Sequence, residues 1–414
     1  MINVMYGTGR LSTLEAGQRV AEFADQLFAH LPRADQRRWA AAYLTGLLAV
    51  SGRKSMRSMA AAITDSPTAS QSLHRFVNAS PWEWQPVRDE LRRWVAARTR
   101  PKAWTVGIAV VPKRGDQSCG VHRRFVPDLG RTINCQVGMG QFLATGRSQV
   151  PVDWRLHLPS EWSEDRLRRR TRIPEAVQPL PAWAQMLDLA DALAADGSPA
   201  LPLVADLRDC PEPDRLLHGL RQRGHDFALT VPGTLPILPS MTAHPSGSGM
   251  DPAVSPVSAR RFLETEGELL RSVVGTSHLR PSRPTRVVTG LIRLPRGPQP
   301  QRFYRLFAEV PREGERPTAA WLTTLVHLSM EDLLELASLP GTTPRALRRL
   351  EGSFGFQDFE GRSYPGWHRH VTLVSAACCY QELSDIDPTG LSGTVSASAA
   401  PLLRAPRRAA GLRV

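Results

Sequence analysis

The chain has 414 residues, enough for about two or three domains, and its 42% hydrophobic and 22% charged content excludes wholesale disorder, collagen-like repeats and coiled coils. No apolar run reaches the roughly 18–20 residues that cross a bilayer, and Met1–Arg10 lacks a signal-peptide pattern, so a cytoplasmic protein with no membrane partner is expected. Lys and Arg number 52 against 39 Asp and Glu, a formal charge of +13, and only Lys54, Lys102 and Lys113 are lysines. The excess is arginine, whose guanidinium suits phosphate, although a GC-rich genome produces the same bias.

In chain order, Met1–Thr13 reads as a flexible N-terminus. Residues 14–100 carry apolar positions at three- and four-residue spacing and read as a helical domain, a possible DNA-binding unit, in which Ser80 and Pro81 cap and start the last helix. Trp82, Trp84 and Trp94 read as packing groups. From Trp104 the texture changes to short strands, Trp104–Val111, Thr132–Phe142, Ala200–Ala205 and Asp226–Val231, with helices at Ala182–Ala195 and Pro213–Arg223. Strand, helix and strand over Leu201–Val231 make a βαβ signal, and the expected class is mixed α/β.

Pro236–Ser258 is rich in Pro, Ser and Gly and reads as an insertion or linker. Strands are expected at Arg286–Leu294, Arg302–Val310 and Ala319–His327, and helices at Met330–Ser338, Pro344–Leu350 and His370–Leu383. The tail 384–414, small, Pro-rich and basic, reads as disordered. The cysteines Cys119, Cys135, Cys210, Cys378 and Cys379 form no C-x-x-C pair and read as reduced core thiols.

Five segments in order carry a family resemblance: Leu73–Trp82, Asn134–Gly138, Val152–Pro159, Ala205-Asp206 and Gly366–His370. They resemble the DDE transposases of bacterial insertion sequences, of the insertion sequence 701 type. The resemblance implies a helical N-terminal domain followed, over 101–383, by a ribonuclease-H-like core with an inserted β-rich region. It also implies two aspartates and a glutamate that hold two Mg2+ ions for phosphodiester displacement, work that needs converging hard carboxylate oxygens.

Set against that pattern, the acidic stretch expected before the turn Pro112-Lys113-Arg114-Gly115 reads Gly107-Ile108-Ala109-Val110. Asp116, beyond the turn, would be displaced by more than roughly 10 Å. Asp206, ending the run Leu201–Ala205, keeps the second carboxylate position; its bland alternative is an acid capping the next helix. The third position falls at Pro344 and Arg345, with Glu351 where the family carries a lysine; with a gap, Glu351 itself becomes the candidate glutamate.

The site residues expected are therefore Asp206 and Glu351 for catalysis, with Asp206 as the metal ligand if one binds. For DNA they are Lys113, Arg114, Arg166, Arg168, Arg169, Arg170, Arg172, Arg345, Arg348 and Arg349. The expected cofactor is none, or Mg2+ if the chain cleaves DNA. DNA is the expected partner, with a homodimer as a further expectation. Three readings stand: a transposase-derived DNA-binding protein without strand transfer, such as a domesticated regulator on the nucleoid; a functional transposase; and a decayed remnant or protein-interaction scaffold.

Overall fold

The computed structural model describes residues 13–145, 148–195, 200–208, 210, 212–240, 255–274, 284–295, 301–310 and 319–386. The expected flexible start, the middle of the Pro/Ser/Gly-rich stretch, Asp209 and nearly all of the basic tail lie outside the described residues.

Five helices come first: Thr13–Leu27 (α1), Ala34–Ala49 (α2), Met56–Ile63 (α3), Ala69–Asn78 (α4) and Gln85–Thr99 (α5). The last does not start at Ser80-Pro81. Trp82 folds inward, stacks on Phe76 with ring centroids 5.2 Å apart and donates its indole N–H to the Phe76 carbonyl at 3.1 Å. The chain must finish turning around that ring, and Pro86 then sits in the first turn of α5.

The core follows with Ala103–Pro112 (β1), His122–Val126 (β2), Arg131–Ala144 (β3), Gln149–Leu156 (β4), Asp165–Thr171 (α6), Ala182–Ala195 (α7), Leu203–Ala205 (β5), Pro213–Arg223 (α8) and Phe227–Val231 (β6). β3 runs antiparallel between β1 and β4, whereas β5 lies parallel to β1 and β6 parallel to β5. The order β4-β3-β1-β5-β6, with β3 alone reversed, is the mixed five-stranded sheet of a ribonuclease-H-like core.

The inserted region comprises Pro236–Pro239 (β7), Val257–Ser258 (β8), Ala259–Thr265 (α9), Glu268–Val274 (β9), Pro284–Arg293 (β10), Tyr304–Val310 (β11) and Ala320–Thr323 (β12). It extends the same sheet, because β12 pairs antiparallel with both β6 and β11. Three helices close the chain: Met330–Ser338 (α10), Thr343–Ser353 (α11) and Tyr364–Leu383 (α12).

α12 begins six residues before the expected His370. The Ser363 hydroxyl caps it by accepting from the Gly366 amide at 3.1 Å, and Pro365 suits its first turn. Periodicity misses this start because polar side chains in the first two turns are buried: His368, Arg369 and His370 are at most 5% exposed.

Those buried groups join the two parts of the chain. Arg369 donates to the Trp82 carbonyl at 2.9 Å and the Val77 carbonyl at 3.3 Å, and Tyr43 meets His370 at 2.9 Å. α12 lies against β4 on one side and against α2, α4 and α5 on the other, so a single buried cluster runs from Phe23 to Leu383. The five cysteines are free thiols, all buried except the half-buried Cys210. Among the described residues no helix is long and apolar enough to cross a membrane.

Candidate functional site

In parallel strands, partnered residues share a face of the sheet. Trp104 pairs with Leu203, so the same register carried three residues forward sets Gly107 level with Asp206. On the other side, Ala205 pairs with Leu229 of β6, and one residue on, the Thr230 hydroxyl donates to Asp206 Oδ1 at 2.9 Å. Gly107, the first residue of the stretch where the resemblance leads one to expect an acid, thus stands beside Asp206.

The space over Gly107 is full. A Cβ placed there would come 2.6 Å from the Phe142 ring, 3.0 Å from the Thr343 methyl and 3.2 Å from a Leu347 methyl. Gly140, paired with Gly107 on β3, is crowded in the same way by Phe142 and Trp154. Phe142 and Trp154 are wholly buried and Thr343 is 2% exposed. Thr343 is tied down from below, sharing hydrogen bonds of 2.8 and 2.9 Å with Gln149 and Thr105. A side chain on Gly107 would therefore meet an aromatic ring, a threonine and a leucine.

Asp206 is exposed at the strand end, but its oxygens have partners. The Arg208 side chain reaches both oxygens at 2.9–3.0 Å, and the Arg208 amide reaches Oδ1 at 3.1 Å. Partial burial pushes this carboxyl up, but the bonds from Arg208 and Thr230 outweigh it and hold the group below the ordinary carboxylate value. It caps no helix, because α8 starts at Pro213 after Glu212.

α11 carries the residues expected at the third position. Pro344 and Arg345 lie exposed in its first turn, while Thr343 and Leu347 face the sheet. Glu351 is half-buried near the C-terminal end of the helix; burial raises its carboxyl against a hydrogen bond with Gln357 and the charge of Arg348. Asp153 of β4, a further acid, pairs with Gln141 on the opposite face and is wholly buried between Arg88, Arg92 and Arg155. Among the described residues no three His, Cys, Asp or Glu side chains gather as a metal site.

The expected DNA-contacting residues divide into two sets. Arg114, Arg166, Arg169, Arg170, Arg345 and Arg348 are exposed, and α6 presents the arginine run as a helix. The others have partners inside the molecule. Lys113 is half-buried with its ammonium 5.9 Å from the Phe359 ring centroid. Arg168 donates to the carbonyls of Pro174 and Val177 at 2.6 and 2.9 Å, and Arg172, though exposed, donates to the Ser363 hydroxyl at 2.8 Å. Arg349 pairs with Glu382 and reaches the Cys378 sulfur at 3.2 Å. Sequence reasoning missed Arg208 as the partner of Asp206; its place two residues on was the available signal.

The model of the DDE superfamily endonuclease family matches residues 26–266, from α1 to α9. This chain belongs to that family. The match covers Gly107 and Asp206, while α11, with Glu351, lies beyond it. No curated protein matches the chain. Among solved structures, the piggyBac transposase synaptic complex with hairpin DNA is similar at a TM-score of 0.39 and 10% identity, over 92% of this chain and 74% of that one. The ribonuclease-H-like assignment rests on the strand order instead.

A DDE endonuclease that cleaves DNA implies a pair of Mg2+ ions, and the residues present in this family member do not fit them. Two hard cations need several carboxylate oxygens free to converge. Here the first position is filled by Phe142, Thr343 and Leu347, the second is neutralised by Arg208, and the expected third is Pro344-Arg345.

Proposed function

We propose that this DDE-family chain is a transposase-derived DNA-binding protein of the insertion sequence 701 type that has lost strand transfer and serves as a resident regulator on the nucleoid. The observation that carries this reading is the packing of Phe142, Thr343 and Leu347 over Gly107, beside an Asp206 already bonded to Arg208. A fold keeps its shape when its chemistry is lost, and function has to be argued from the site. Support for retained DNA contact comes from the +13 charge and from the exposed Arg114, Arg166, Arg169, Arg170, Arg345 and Arg348.

Selection of fragmented host genomic DNA on the purified protein at moderate salt, followed by sequencing, tests this. The expected result is a discrete set of sites in promoter regions. Absence of salt-sensitive binding would overturn it in favour of a remnant or a protein scaffold, and sites confined to inverted repeats flanking the gene would favour a mobile element.

A further inference from the structure

β3 is longer than β1, and the difference builds a projection. β1 ends at Pro112, opposite Cys135, whereas β3 begins at Arg131, so residues 131–134 extend past the end of β1 with β2 beside them. β2 and this part of β3 form a two-stranded ribbon, closed by the 3-10 turn Pro127–Leu129 and by Gly130 with φ of 60°. At about 3.3 Å per residue it reaches roughly 13 Å beyond β1. It leaves the sheet at the carboxyl edge of β1, the edge that also carries Asp206.

The composition of the ribbon is basic with apolar side chains. Arg123, Arg124, Phe125, Leu129 and Arg131 are all exposed, Phe125 at 58% and Leu129 at 49%. The pairs Arg123–Asn134 and Phe125–Thr132 put Arg123 and Phe125 on one face, and Arg124 shares the other with Arg131. Charges on an edge strand guard against edge-to-edge pairing, which accounts for arginines but not for an exposed phenylalanine between them and the tip. Its base joins the Arg114 turn, since the Lys113 amide donates to the Asn134 carbonyl at 2.8 Å.

We infer that this ribbon inserts into a groove of duplex DNA, with Arg123, Arg124 and Arg131 on phosphates and Phe125 against the bases. The major groove admits a two-stranded ribbon, guanidinium groups on both faces match the two phosphate walls, and an apolar ring one pair short of the closing turn suits contact with base edges or a wedge between base steps. Charge complementarity selects DNA as the occupant over an apolar protein face. The inference rests on the proposed DNA-binding function and adds the element that makes the contact.

Fluorescence anisotropy with a labelled duplex, titrated at several salt concentrations, separates the two claims. The wild-type chain should bind with a steep salt slope. The variant Arg123→Glu, Arg124→Glu, Arg131→Glu should lower that slope by roughly 2 to 3, one step per lost phosphate contact. Phe125→Ser should weaken binding about tenfold with the slope kept, as loss of one base contact would. If the wild type binds and both variants match it in affinity and slope, the ribbon is not the contact, while the proposed function stands. If the wild type does not bind, both fail. Circular dichroism checks folding, and should the triple variant unfold, Phe125→Ser alone decides.

Discussion

Arg88 and Asp153 meet at 2.8 Å in the interior, with side chains 1% and 0% exposed, where α5 crosses β4. Arg92 reaches the other Asp153 oxygen at 3.2 Å, and Arg155 shares the first at 2.8 Å. Arg88 also donates to the Thr372 hydroxyl at 2.8 Å and to the His368 carbonyl at 3.2 Å, so one guanidinium fastens the helical part, the sheet and α12 together. Burial opposes a charge on Asp153, but Arg155, Arg88 and Arg92 outweigh it and hold the carboxyl far below its ordinary value. Asp153→Ala would leave three guanidinium groups without their shared anion. The expected cost is about 3–5 kcal/mol in a denaturant titration, because uncompensated buried charge costs more than a surface pair yields. A loss below about 1 kcal/mol would show that the network is not holding the parts together.

Restoring an acid at the first position should fail. Gly107→Asp puts a carboxylate among Phe142, Thr343 and Leu347, where even its Cβ is too close to the Phe142 ring. Overpacking together with burial of an unpaired charge should cost more than about 3 kcal/mol and give no cleavage of DNA with Mg2+. Gly107→Ala, with the clash but without the charge, should cost about 1–3 kcal/mol. Thermal melting of the two variants checks the order; an aspartate variant as stable as wild type would mean that the site is open.

Acid should loosen the same joint. His370 Nε2 faces the Gly355 carbonyl at 3.1 Å, which only accepts, so Nε2 carries the proton and Nδ1 accepts from the Tyr43 hydroxyl at 2.9 Å. Burial lowers this imidazole to about 4. Its folded value lies below the unfolded one near 6.5, so the unfolded chain binds the extra proton between them. Stability is full above about pH 6.5 and falls as pH drops toward 4, by on the order of 3 kcal/mol from this residue. Denaturant midpoints across that range should slope accordingly, and His370→Gln should flatten the slope. An unchanged slope would place the proton uptake elsewhere.

Residues that follow a single period were legible in the sequence. α7, α8 and α10 have the boundaries that their apolar spacing marks, and Asp206 does end a buried strand. β4 was legible only as a motif, because Pro151, Asp153 and Arg155 interrupt its alternation although nearly every position is buried. The start of α12 is hidden for the same reason, since its first turns bury polar groups whose partners lie in α2, α4 and the segment before α5. The absence of an acid at Gly107 was visible; that Phe142 and Leu347 fill the space, and that Gly107 stands level with Asp206, depends on strand register and helix docking between segments far apart in the chain.

The most direct test of the central claim is a cleavage assay on the DNA fragments that the protein itself selects, with and without Mg2+, for the wild type and Asp206→Ala. The exposed Asp206 carboxylate is bonded by Arg208 and Thr230, so its removal should change stability by no more than about 1 kcal/mol. The account predicts that both proteins bind the fragments and that neither nicks nor joins a strand. Mg2+-dependent strand scission by the wild type that disappears in Asp206→Ala would contradict it.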